Sequence, residues 1–345
     1  MRGRERALPL LVFGTVLAAG LACGPFPSPA GPTAVELEIP GTRALTVDEA
    51  YYESPAWSPD GRYMAVFRGY RVFADIIYAD SFETGPVLID LDSGERRIIG
   101  SPPTVKPEDA FGPFFWQSGA GAVTFYYFDR ESGQDAPTLV TYRPDTEAFA
   151  SVDICRCAVV AFNAKGNEIL VLGPSEEAFE LSWFNLATGK TRIEVSVPKA
   201  DPREYGFVDF SLSPDSRTLL LGDLDGNVFR YEVGSGLPPV PFLTWAASPG
   251  WSPDGSKIVY AQLQRRGESS PDYYDGQLVI ANEDGSHPEP LFPEIQPAGM
   301  LSPAWSPDGS QIAFLYGSRH SNALLMAEVP QSLRPPGVRV TPAVP

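Results

Sequence analysis

Two histidines, His287 and His320, and three cysteines, Cys23, Cys155 and Cys157, are all this 345-residue chain offers as imidazole bases and thiols. Nucleophilic hydrolysis needs a Ser or Cys beside a base. His287 lies in a Gly-Ser-His-Pro turn, His320 follows Arg319, and neither has a partner indicated by the sequence. No G-x-S-x-G elbow occurs, which speaks against an appended hydrolase. Cys155 and Cys157, spaced C-x-C, put both sulfurs on one face of a strand. Without further Cys or nearby His they make a poor metal site. They read as a buried or oxidisable pair. Asp223, Asp225 and Asn227 alternate as in a calcium loop but lack its later Glu, and a tight turn explains them. No metal and no cofactor are expected. The formal charge of −17 argues against a nucleic-acid partner, which would require clustered Lys and Arg.

Cys23 points to different chemistry. Residues 1–22 begin with Arg2, Arg4 and Arg6, continue through an uncharged run from Ala7, and end in Ala19-Gly20-Leu21-Ala22 before Cys23. This reads as an export signal, too short and too broken by Pro9 for a stable span. The Ala-Gly-Leu-Ala-Cys end resembles a bacterial lipobox, whose cysteine is lipidated; an ordinary signal peptide is the alternative. Residues 23–33 then form a Pro-rich spacer, and such runs are extended and semi-rigid. The expectation is an exported, lipid-anchored, monomeric protein of the bacterial cell envelope, with residues 34–345 as its folded domain.

Acidic and aromatic residues recur along that domain in a fixed pattern. Trp57-Ser-Pro-Asp60-Gly61 returns as Trp251-Ser-Pro-Asp254-Gly255 and Trp305-Ser-Pro-Asp308-Gly309. A weaker copy runs from Leu212 through Asp215 to Ser216, and decayed copies start at Trp116 and Phe162. The starts are therefore 57, 116, 162, 212, 251 and 305. Seven and nine residues after each start both positions are apolar: Met64 and Val66, Val123 and Phe125, Ile169 and Val171, Leu219 and Leu221, Ile258 and Tyr260, Ile312 and Phe314. Period-2 apolar residues after a turn predict a half-buried strand. A second turn follows in each unit, at Asp92-Ser93-Gly94, Asp145-Thr146, Thr188-Gly189, Ser235-Gly236, Asp284-Gly285 and Gln331-Ser332.

Thirty-six prolines and 32 glycines leave little room for long helices. Four short antiparallel strands per unit, repeated in series, predict an all-β, six-bladed β-propeller. The motif chemistry suits a turn: Pro fixes φ, Asp bonds its own backbone, and Gly supplies positive φ. Asp60, Asp215, Asp254 and Asp308 are thus read as turn residues, and Trp57, Trp251 and Trp305 as wedges between blades. Residues 34–47 are expected to pair with the sixth blade and close the ring, removing an exposed edge.

These units resemble the WD40-like propeller repeat PD40 of TolB-type proteins, over residues 43–341. The resemblance implies six blades and a habit of protein contact. The chain departs from the TolB type in its short segment before the first blade and its lipobox-like cysteine, so the role of TolB itself does not transfer.

With strands labelled A to D, the A–B and C–D turns share one face and are short, giving an expected plain face. The B–C and D–A connections share the other face and vary in length. Long loops on a rigid scaffold are the usual seat of function, and aromatics there make good anchors. The candidate binding residues are Tyr70, Phe73, Tyr78 and Phe82 in a first-blade loop at 68–85, and Tyr205 and Phe207 before the fourth blade. Tyr273 and Tyr274 in the fifth blade and His320 in the sixth complete the set. The favoured function is a protein-interaction or envelope-binding module. The alternatives are a metal-dependent lyase or lactonase with acidic channel ligands, and a sensor or chaperone-like accessory subunit.

Overall fold

The computed structural model describes residues 39–46, 50–72, 75–77, 85–99, 110–117, 121–127, 138–154, 158–163, 165–174, 178–198, 207–265, 274–296, 299–317 and 322–337. No helix occurs among them. The strands form six antiparallel sheets, one per predicted repeat. Blade 1 holds β2 (Tyr51–Trp57), β3 (Tyr63–Val72), β5 (Gly85–Asp90) and β6 (Arg96–Ile98), with β4 (Asp75–Ile77) folded back onto β3. Blade 2 is β7 (Ala110–Gln117), β8 (Ala122–Tyr127), β9 (Thr138–Arg143) and β10 (Ala148–Asp153). Blade 3 is β11 (Ala158–Phe162), β12 (Glu168–Pro174), β13 (Ala178–Asn185) and β14 (Thr191–Pro198). Blade 4 is β15 (Phe207–Leu212), β16 (Thr218–Asp223), β17 (Asn227–Glu232) and β18 (Val240–Thr244). Blade 5 is β19 (Ala246–Trp251), β20 (Lys257–Arg265), β21 (Tyr274–Asn282) and β22 (Glu289–Pro290).

Blade 6 takes β23 (Met300–Trp305), β24 (Gln311–Gly317) and β25 (Asn322–Glu328) from the end of the chain and its outer strand β1 (Thr42–Ala44) from the beginning. β1 pairs antiparallel with β25, Arg43 opposite Met326. The expected turn at Gln331-Ser332 is present but makes no hairpin. It leads into no fourth strand among the described residues, because β1 already occupies that edge.

The six A strands (β2, β7, β11, β15, β19, β23) each touch the next around a closed circle, so they line the centre. The core lies between blades. One cluster joins Tyr52, Met64 and Val66 of blade 1 to Leu315, Leu324 and Met326 of blade 6, and another joins Leu181 and Trp183 of blade 3 to Leu219 and Tyr231 of blade 4. All twelve apolar residues flagged after the motifs are buried. The strands carrying them are not half-buried, as alternation suggested: Ala65 and Leu220, between flagged positions, are buried too. A B strand has a neighbouring blade on each face, so both sets of side chains leave water.

Every A strand is bulged against its B strand. In blades 1, 5 and 6 the bulge falls at Ser54-Pro55, Ser248-Pro249 and Ser302-Pro303, with the serines at φ of 53°, 50° and 51°. Pro has no N–H to give a ladder, so a bulge is where a strand can hold it. The repeat is thus longer than the Trp-led motif: Ser-Pro precedes the Trp by three and two residues.

Candidate functional site

The turn motif behaves as its residue types require. Ser58 Oγ accepts the Tyr63 N–H at 2.8 Å and donates to Asp60 Oδ1 at 2.5 Å, and Asp60 Oδ1 accepts the Arg62 N–H at 3.1 Å. Ser213–Asp215, Ser252–Asp254 and Ser306–Asp308 repeat this arrangement. Gly61, Gly255 and Gly309 take the positive φ the turn needs. Burial pushes the Asp254 and Asp308 carboxyls up, but their hydrogen bonds outweigh it and hold both below the usual carboxylate range. These aspartates take hydrogen bonds within their own turns. Asp223 is likewise spent locally, accepting the Asn227 N–H at 2.7 Å and its side-chain amide at 2.9 Å.

The motif tryptophans link blades by more than packing. Trp57 Nε1 donates to Ala304 O at 3.0 Å, Trp116 Nε1 to Ala56 O at 3.0 Å, and Trp251 Nε1 to Ser211 O at 3.1 Å. In each case the acceptor is the residue just before the motif start of the preceding blade. Trp305, 8% exposed, breaks the series: its Nε1 is buried without an acceptor.

The face of the A–B and C–D turns is less plain than expected. A cleft of about 710 Å³ opens there between blades 4 and 5, lined in part by Asp215, Arg230, Trp251, Asp254 and Asp284. Among the described residues, no three His, Cys, Asp or Glu side chains stand close enough together to hold a metal ion.

Of the candidates expected on the opposite face, Phe73, Tyr78, Phe82, Tyr205, Tyr273 and His320 lie outside the described residues; Cys23, Cys155 and Cys157 lie outside them too. Three candidates placed in loops are strand residues. Tyr70 lies within β3 opposite Ile77, Phe207 opens β15, and Tyr274 opens β21 opposite Arg265. Both B–C connections tighten because the flanking strands run on past the sequence-based boundary. The first loop also carries the hairpin partner β4.

Three exposed apolar side chains of this face belong to blade 4 and its exit, while Val152 (37%) and Leu301 (38%) stand on blades 2 and 6. Val208 (42% exposed) is the bulge residue of β15, Leu224 (60%) sits in the β16–β17 turn, and Trp245 (44%) links β18 to β19. Trp245 has φ 54°. For a bulky residue this is an outlier worth roughly 1–3 kcal/mol of strain. It is locked in place because Trp245 O accepts the Leu263 N–H and the Gln262 amide, both at 2.6 Å. Deeper on the wall, Asp209 Oδ2 accepts the Ser248 N–H at 2.8 Å, from blade 4 to blade 5. Burial raises the Asp209 carboxyl above its ordinary value, and that hydrogen bond only partly opposes it.

No family model matches the chain. Over 271 residues it is 23% identical to an uncharacterized protein, Atu1656, of Agrobacterium fabrum, covering 76% of this chain and 84% of that protein. The structure of a protein assigned as TolB from Agrobacterium tumefaciens superposes with a TM-score of 0.55 at 16% identity, covering 84% of this chain and 94% of that one. TolB from Acinetobacter baumannii gives a TM-score of 0.54 at 18% identity over 76% of this chain. The match spans 59% of that TolB, less than two thirds of its length. At these identities the likeness is one of fold: the chain is a TolB-like six-bladed β-propeller, and not TolB itself.

Proposed function

We propose that this protein is an exported, lipid-anchored propeller that binds another protein of the cell envelope through the face of its B–C and D–A connections. The observation that carries this reading is the group Val208, Leu224 and Trp245, exposed at one end of blade 4 on that face. Large apolar side chains in water have a cost that contact with a partner removes, and Trp is the commonest anchor of such contacts. The strained backbone of Trp245, fixed from blade 5, sets where its side chain leaves the main chain before binding. TolB-type relatives place the same fold in the Tol–Pal system, which supports an envelope setting. The lipobox-like Cys23 and the Pro-rich spacer supply the tether.

The test is a pull-down from detergent-solubilised membranes with the full chain as bait, run beside Trp245→Ala and Leu224→Ser. A stoichiometric protein that both substitutions release supports the reading. A partner retained by both, or none recovered, overturns it. Labelling with a fatty-acid analogue tests the anchor: wild type incorporates it and Cys23→Ser does not.

A further inference from the structure

We infer that Asp209 on the inner wall of blade 4 is the acceptor for a cationic side chain, Lys or Arg, that a partner protein inserts into the propeller centre beside Trp245. The inference rests on the loop-face reading above and names the chemistry of the group recognised.

Asp209 stands three residues before its motif start, the position held by Ser54, Ser248 and Ser302 in blades 1, 5 and 6. Blade 4 alone puts a carboxylate there. The fold makes room for it, since Gly222 lies opposite and a Cβ on Gly222 would come within 3.0 Å of the Asp209 Cβ. Its hydrogen bonds come from Ser248, whose N–H donates to Oδ2 at 2.8 Å and whose side chain also bonds it, and no Lys, Arg or His pairs with it among the described residues. The motif aspartates are different, each accepting the hydroxyl of the serine two residues before it in its own turn. A half-buried carboxylate without a counter-charge destabilises the chain that carries it. An incoming ammonium or guanidinium supplies the missing counter-charge. The setting suits such a guest. Asp209 follows exposed Val208 directly, and Ser248 lies three residues beyond Trp245. Apolar contact beside a fixed charge gives both affinity and orientation. The net charge of −17 draws a basic segment towards the molecule.

A random-peptide phage library panned on the full chain, with elution by high salt, tests this. Enriched peptides are expected to share one Lys or Arg. Its replacement by norleucine weakens binding to wild type about tenfold or more. The same replacement has no effect on Asp209→Asn or on Asp209→Ser, which restores the residue of the other blades. Both variants should melt no lower than wild type, since a purely structural aspartate would lose stability on substitution. Peptides that bind Asp209→Asn as tightly as wild type, or that lack a shared basic residue, overturn the inference. Binding lost in Trp245→Ala but kept in Asp209→Asn rejects the cation site and retains the loop face. Binding lost in Asp209→Asn but kept in Trp245→Ala does the reverse. A library that yields no binder counts against both.

Discussion

The side chain of Asn322 stands in for a strand against Tyr52. Its Oδ1 accepts the Tyr52 N–H at 2.7 Å, and its Nδ2 donates to the Tyr52 carbonyl at 2.9 Å. These residues are 270 positions apart, one opening the last C strand and the other on the first A strand. Thr46 Oγ1, accepting the Leu324 N–H at 2.8 Å, adds a second stitch at the same seam. The ring is closed by β1 on the rim and by Asn322 further in. Asn322→Ala leaves two buried backbone groups unpaired, each worth about 1–3 kcal/mol. Urea unfolding should show a loss of about 2–4 kcal/mol, while an exposed control such as Asp225→Asn stays within about 0.5 kcal/mol.

The tryptophan series makes a graded prediction. Trp57→Phe and Trp251→Phe each orphan a carbonyl of the preceding blade and should cost about 1–3 kcal/mol beyond the lost ring contacts. Trp305→Phe orphans nothing, because its indole N–H already lacks an acceptor. It should therefore cost at least about 1 kcal/mol less than either of the others. Equal losses at all three sites by thermal unfolding would show that Trp305 makes the same bond.

Blades 3 and 4 share a different joint. The Glu194 carboxylate, only 3% exposed, accepts the Trp183 Nε1–H at 3.2 Å, the Tyr231 hydroxyl at 3.0 Å and the Gly234 N–H, and pairs with Arg192 at 3.1 Å. Burial, then the hydrogen bond to Glu194 and its charge, push the Tyr231 phenol up to about 12. Glu194→Gln removes that charge, so the Tyr231 phenolate forms at a lower pH. Ultraviolet titration of tyrosinate should show one phenol moving down; an unchanged titration would break the assignment of this contact.

How much of this was legible in the sequence depended on distance along the chain. Turn, strand and repeat are local, so the Trp-Ser-Pro-Asp-Gly units gave the blade count and the buried pairs from Met64–Val66 to Ile312–Phe314. The Ser-Pro ahead of Trp57, Trp251 and Trp305 was equally visible. Its meaning was not, because a bulge exists only relative to the strand it pairs with. Gln331-Ser332 looked like one more hairpin turn until β1 filled the place its strand would take. Asp209 departed from the repeat in the sequence, but its partner did not show there: it bonds Ser248, 39 residues on in another blade. Tyr70, Phe207 and Tyr274 were assigned to loops because length and aromaticity were read without the register that extends β3, β15 and β21.

The account stands most directly on which face meets a partner. A photo-cross-linking amino acid placed at position 224 in living cells probes the B–C and D–A face, and one at position 284 probes the turn face. Irradiation should join the chain to one discrete protein from 224 and not from 284, with the product lost in a Trp245→Ala background. Cross-links from 284 alone, or none from 224, would contradict the account.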